Sequence, residues 1–97
     1  MLKKKFFKTK DECEVTFEVN VEDAKNVALV CEHNGWEPIQ MKQSKKGPFR
    51  TKIRLPKEGQ FQFRYLVDGQ TWHNDKTADT YLPNEHGGEN SVISTVA

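Results

Sequence analysis

"FQFRYLVDGQTWHND", residues 61–75, decides the fold. Phe61, Phe63, Tyr65 and Val67 alternate with Gln62, Arg64 and Leu66. That period of two belongs to a strand with one face buried and the other wet. Asp68-Gly69 follows, and then a second extended stretch begins. A two-residue type I′ turn requires positive φ at both central positions, which Asp-Gly accepts, so the segment predicts a β-hairpin. The alternation turns Phe61, Phe63, Tyr65 and Val67 toward a core and leaves Arg64 facing out. Trp72, just past the turn, folds back beside that outer face.

The same period recurs along the chain. Cys13, Val15, Phe17 and Val19 alternate with Glu14, Thr16 and Glu18; Phe49, Thr51, Ile53 and Leu55 alternate with Arg50, Lys52 and Arg54. "NVALVCE" (26–32) is a continuous apolar run suited to a central strand, and "SVISTV" (91–96) is rich in β-branched residues. Between the runs lie "VEDAKN", "HNGWEP", "SKKGP", "PKEGQ" and "LPNEHGGEN", all carrying turn-forming residues. "VEDAKN" could form one helical turn at most. About six or seven short strands punctuated in this way predict an all-β, immunoglobulin-like antiparallel β-sandwich.

The chain has 97 residues, which suits one domain. Net charge is +1, with charged residues 30% and hydrophobic residues 35% of the chain. Nothing in that balance calls for nucleic acid or a membrane surface as a partner. Lys3, Lys4, Lys5, Lys8 and Lys10 cluster near the start, and Lys42, Lys45 and Lys46 precede Gly47. They read as solvated charge on a tail and a loop tip. "MLKKKFF" carries no apolar export stretch, and no run approaches the ~18 apolar residues of a membrane span. The two cysteines, Cys13 and Cys31, are therefore expected as buried, reduced thiols of a cytoplasmic protein.

For catalysis, the sequence offers no nucleophile elbow, phosphate loop or dinucleotide fingerprint. Asp68, Asp75, Asp79, Glu85 and Glu89 could supply paired carboxylates, but a small sandwich has little depth for a cleft between two of them. They are expected as turn residues and surface charge. His33, His73, His86, Cys13 and Cys31 fall at no common metal-ligand spacing.

Binding is the better-equipped reading. Both tryptophans of the chain, Trp36 in "HNGW" and Trp72, stand beside turns. An aromatic face can stack on the C–H side of a pyranose, while its rim hydroxyls need donors and acceptors. Arg64 supplies donors and Asn90 supplies both. Each has a plainer alternative: Trp36 and Trp72 in the core, Arg64 as solvated charge, and Asn90 closing the turn before the last strand.

In order along the chain, "V-x-L-V-x-x-x-N-x-W", "Q-F-R-Y-x-V-D-G-x-x-W-x-x-D" and "G-x-x-N-S-V-I" resemble the family-48 carbohydrate-binding module. This is the early-set domain at the N-terminus of isoamylase, pullulanase and glycogen branching enzymes. It is similar to the glycogen-binding domain of the AMP-activated protein kinase beta subunit and to short bacterial proteins of the isoamylase early-set type. The resemblance places the module at residues 13–97, after a basic N-terminal segment of residues 1–12. It implies non-catalytic binding of α-1,4-glucans, without cofactor or metal, by stacking on Trp36 and Trp72, with Arg64 as the cation and Asn90 bonding sugar hydroxyls. The other function it suggests is protein docking through the outer face bearing Gln62, Arg64 and Leu66, onto an enzyme in trans such as a glycoside hydrolase family 13-type protein. The chain departs from the family in three places. Cys31-Glu32-His33-Asn34 replaces Gly-Asp-Phe-Asn, a change expected to re-aim the loop bearing Trp36. His86 and Gly88 stand where the kinase subunit has the ring-threading leucine and a threonine, and Ser91 replaces a second asparagine.

Overall fold

Among the described residues ten strands form two sheets in which every neighbouring pair runs antiparallel. The computed structural model describes residues 2–43, 45, 47–85 and 87–96. Lys46 and His86, both singled out in the sequence, lie outside them. The first sheet sets Leu2–Phe6 (β1) beside Glu12–Val19 (β2), then Phe49–Pro56 (β6) and Lys42–Gln43 (β5). The second runs from Ile39–Gln40 (β4) through Val27–Cys31 (β3), Gln60–Val67 (β7) and Glu89–Ser94 (β10) to Thr80–Pro83 (β9). Thr71–His73 (β8) also pairs with β7. This is the immunoglobulin-like β-sandwich that the alternation predicts. Among the described residues one 3-10 turn, Glu32–Asn34, is the sole helical element, and no helix is long and apolar enough to cross a membrane.

Alternation builds the core. Cys13, Val15 and Phe17 from the first sheet meet Phe63, Tyr65 and Ile93 from the second, all fully buried. Phe17 packs edge-on against Phe63 across the two sheets at 5.0 Å, and Phe63 against Tyr65 at 5.7 Å. Burying a side chain of this size stabilises the fold by about 1.5–3 kcal/mol. All five residues of β3 are buried, as its continuous apolar run requires. Cys13 and Cys31 are free thiols in this interior, and burial pushes both upward from the usual thiol range.

The Asp68-Gly69 turn has φ of 51° and 67°, positive at both positions as its sequence demands. Gln70 N–H donates to Val67 O (3.0 Å), closing it. Asp68 Oδ1 also accepts from the Lys25 and Asn26 amides, each at 2.8 Å, which anchors the turn to the chain entering β3.

The structure corrects the sequence reading at two points. The basic residues near the N-terminus do not form a simple tail: Leu2–Phe6 pairs along β2, and Lys4 reaches Asp79 at 2.7 Å, linking β1 to the segment before β9. Asp75 is not surface charge but 3% exposed. Tyr65 donates its hydroxyl to Asp75 Oδ2 (2.6 Å), and the Thr77 amide and hydroxyl both donate to Oδ1 (2.7 Å each). Burial pushes the Asp75 carboxyl up, but these donors outweigh it and leave it below the usual carboxylate range. Burial, reinforced by the Asp75 charge, pushes the Tyr65 phenol upward.

Two outcomes test this wiring. Tyr65→Phe removes a donor from a buried carboxylate and should cost roughly 1.5–3 kcal/mol in urea unfolding. A carboxyl held low in the folded state adds stability that is complete above its unfolded value, about 3.9, and is lost as pH falls through the folded value. Unfolding free energy should therefore drop below about pH 4, and Asp75→Asn should flatten that slope.

Candidate functional site

Residues directly opposite one another in a sheet share a face. Val30 faces Arg64 across β3 and β7, and Trp72 faces Leu66 across β7 and β8. Tyr65 points inward, so Arg64 and Trp72 stand together on the outer face. Because β3 occupies one edge of β7 along residues 63–67, β10 and β8 lie end to end along the other. That arrangement brings Asn90 beside Trp72. Asn74 holds the junction: its Nδ2 donates to Glu89 O (2.8 Å), and its Oδ1 accepts from Ser91 N–H (3.1 Å) and Ser91 Oγ–H (2.9 Å).

A groove of about 1060 Å³ opens on this face, and Trp36, Arg64, Trp72 and Asn90 all line it. Gln62, Val30 and the Pro83–Glu85 stretch complete its walls. The four residues singled out from sequence are therefore in one place. The indoles are not core: Trp36 is 42% and Trp72 47% exposed. Arg64 is half-buried, its guanidinium 5.4 Å from the Trp72 ring centre, a cation–π geometry that fixes both side chains. Its Nε is the one buried side-chain nitrogen or oxygen without a hydrogen-bond partner among the described residues. Such a buried donor is costly to leave unmade.

Trp36 is presented by an unusual backbone. The 3-10 turn ends in Gly35 at φ 74°, and Trp36 follows at φ 66°. A bulky residue in the left-handed region carries strain of order 1–3 kcal/mol, which persists where the surroundings enforce it. Trp36 N–H donates to Cys31 O (3.0 Å), and Gly35 N–H to Glu32 O (3.1 Å). His33, at the family's phenylalanine position, packs edge-on against Phe61 at 5.3 Å and keeps an aromatic anchor there. With those replacements the loop still turns Trp36 to the groove.

Asn90 lies within β10 without positive φ, so it is not a left-handed turn closer. Ser91, one residue on, is fully buried on the opposite face, and its hydroxyl accepts from Asp75 N–H (2.8 Å). The position of the family's second asparagine thus points away from the groove. Gln62 and Asn84 also line the groove; the sequence reading placed Gln62 on the docking face only and did not single out Asn84. Gln62 shares the outward period of Arg64, a signal that was available; Asn84 sits in a loop with no period to read.

Residues 13–97 match the family model described as the glycogen recognition site of AMP-activated protein kinase. The chain belongs to that family. As a member of the glycogen recognition family it is a carbohydrate-binding module in the general sense, and the groove lies within the matched span. No curated protein matches the chain. Among the described residues no group of three or more His, Cys, Asp or Glu is placed to hold a metal ion.

The strain at Trp36 is testable. Trp36→Asn, which tolerates the left-handed region, should raise stability in chemical denaturation by a few tenths to about 1 kcal/mol.

Proposed function

We propose that the protein is a non-catalytic module that binds α-1,4-glucans by stacking sugar rings on Trp36 and Trp72. The observation that carries this reading is a pair of half-exposed indoles lining one groove together with Arg64 and Asn90. The indoles supply apolar faces for pyranose C–H groups, and the unpartnered Arg64 Nε–H and the Asn90 amide meet rim hydroxyls. The stacking between Arg64 and Trp72 holds both in place before a ligand arrives, which lowers the ordering cost of binding.

The non-catalytic reading is supported by the carboxylates. Among the described residues Glu85 is the sole one lining the groove, whereas hydrolysis of a glycoside employs two. Asp75 is committed to Tyr65 and Thr77. The docking reading uses Gln62, Arg64 and Leu66, and two of these three line the groove. A protein partner on that face, such as a glucan-processing enzyme in trans, would compete with the sugar.

Trp72→Ala should abolish binding of maltoheptaose in calorimetric titration while unfolding stays cooperative and stability falls by no more than about 1 kcal/mol. Loss of the fold, or binding equal to the native protein, would reject the stacking role.

A further inference from the structure

Three amide side chains in the groove form a directed relay. Asn84 Nδ2 donates to Asn90 Oδ1 (3.2 Å), and Asn90 Nδ2 donates to Gln62 Oε1 (3.0 Å). An amide chain of this kind can in principle run either way, since its oxygen and nitrogen ends are interchangeable in shape. Here one contact removes the choice. Gly88 N–H donates to Asn84 Oδ1 (3.1 Å), and a backbone N–H can only donate. Asn84 must therefore turn its oxygen to Gly88 and its amino group to Asn90. Asn90 must then accept from Asn84 and donate onward, and Gln62 must accept from Asn90. The loop is itself closed by Asn84 N–H donating to Gly88 O (2.9 Å), so the starting point of the relay is fixed by backbone geometry.

The consequence falls on Gln62. With Oε1 used by Asn90, its Nε2 carries two N–H groups that no protein group accepts among the described residues, and it is not among the buried polar atoms left without a partner. It therefore reaches solvent from a residue that lines the groove. Gln62 lies two residues before Arg64 on the same outward face. Between them they present a row of donors along β7: the Gln62 amino group, then the Arg64 guanidinium.

We infer that Gln62 is a further sugar-binding residue, whose Nε2 donates to a glucan hydroxyl oxygen next to the one held by Arg64, and that Asn84 is the positioning residue that aims it through Asn90. This rests on the stacking reading above and adds to it a polar contact and its orientation. Asn84 and Gly88 thereby become part of the specificity of the site, because their contact sets which end of each amide faces the sugar.

The relay can be tested without sugar. Asn84→Asp keeps an acceptor for Gly88 N–H but has no proton for Asn90, so the relay should reverse. The side-chain amide NMR signals of both Asn90 and Gln62 should then shift in the free protein; unmoved Gln62 signals would overturn the relay. The contact is tested by titrating maltoheptaose into the native protein and into Gln62→Met. Gln62 side-chain signals should move along with the Trp72 indole N–H, and Gln62→Met should bind roughly tenfold more weakly while unfolding stays cooperative. Native binding that moves the Trp72 signal but not Gln62, with equal affinity in Gln62→Met, would overturn the Gln62 assignment and leave the stacking reading standing. No binding by the native protein would overturn the stacking reading itself, and the assignment with it.

Discussion

The hydrogen bond from Tyr65 to Asp75 holds the rest of the structure in register. It joins the inward face of the central strand β7 to the segment that follows β8, ten positions along the chain and out of contact with water. A carboxylate in such a place is tolerable only when supplied with donors, and Tyr65 and Thr77 supply three. Asp75 in turn donates its own amide to Ser91, which bonds Asn74, and Tyr81 donates its hydroxyl to Asp75 O. This network fastens β8 and β10 end to end along one edge of β7. Trp72 and Asn90 owe their proximity to it.

The signature stretch is thus two devices interleaved at a period of two. Tyr65, Asp68, Gly69 and Asp75 build the hairpin and lock it, whereas Arg64 and Trp72 point the other way and face the groove. Tyr65 and Asp75 are satisfied and buried, and Asp68 is satisfied at the surface. The groove residues are not: Arg64 Nε lacks a partner, both indoles meet water, and Trp36 holds a strained backbone. A groove built in this way draws on stability generated elsewhere, here by the cross-sheet packing of Phe17 and Phe63.

Much of this was legible in the sequence because the information is local. Alternation names the inward residues of β2, β6 and β7, and Asp68-Gly69 names its turn through backbone conformation alone. Trp36, Arg64, Trp72 and Asn90, which line one groove, were singled out because their side-chain chemistry suits a sugar and because the resemblance implies such roles. What escaped depends on partners far along the chain. The N-terminal lysines look like a tail until β2 pairs with them and Asp79 meets Lys4. Asp75 looks like a turn acid until Tyr65 closes on it. "LPNEHGGEN" looks like a turn throughout, yet Leu82 and Pro83 end an edge strand, β9, where a missing N–H costs little. The amide relay has no local pattern, since its three members come from β7, β10 and the loop between β9 and β10.

The central claim is that two indoles and the Arg64 side chain form one ligand surface. A titration of ¹⁵N-labelled protein with maltoheptaose, following both indole N–H signals and the Arg64 Nε–H signal together, tests it most directly. The account predicts that all three move along a single binding curve, with Arg64 Nε–H gaining a hydrogen-bond partner. Three signals that stay still at millimolar sugar, or indoles that respond separately from Arg64, would contradict it.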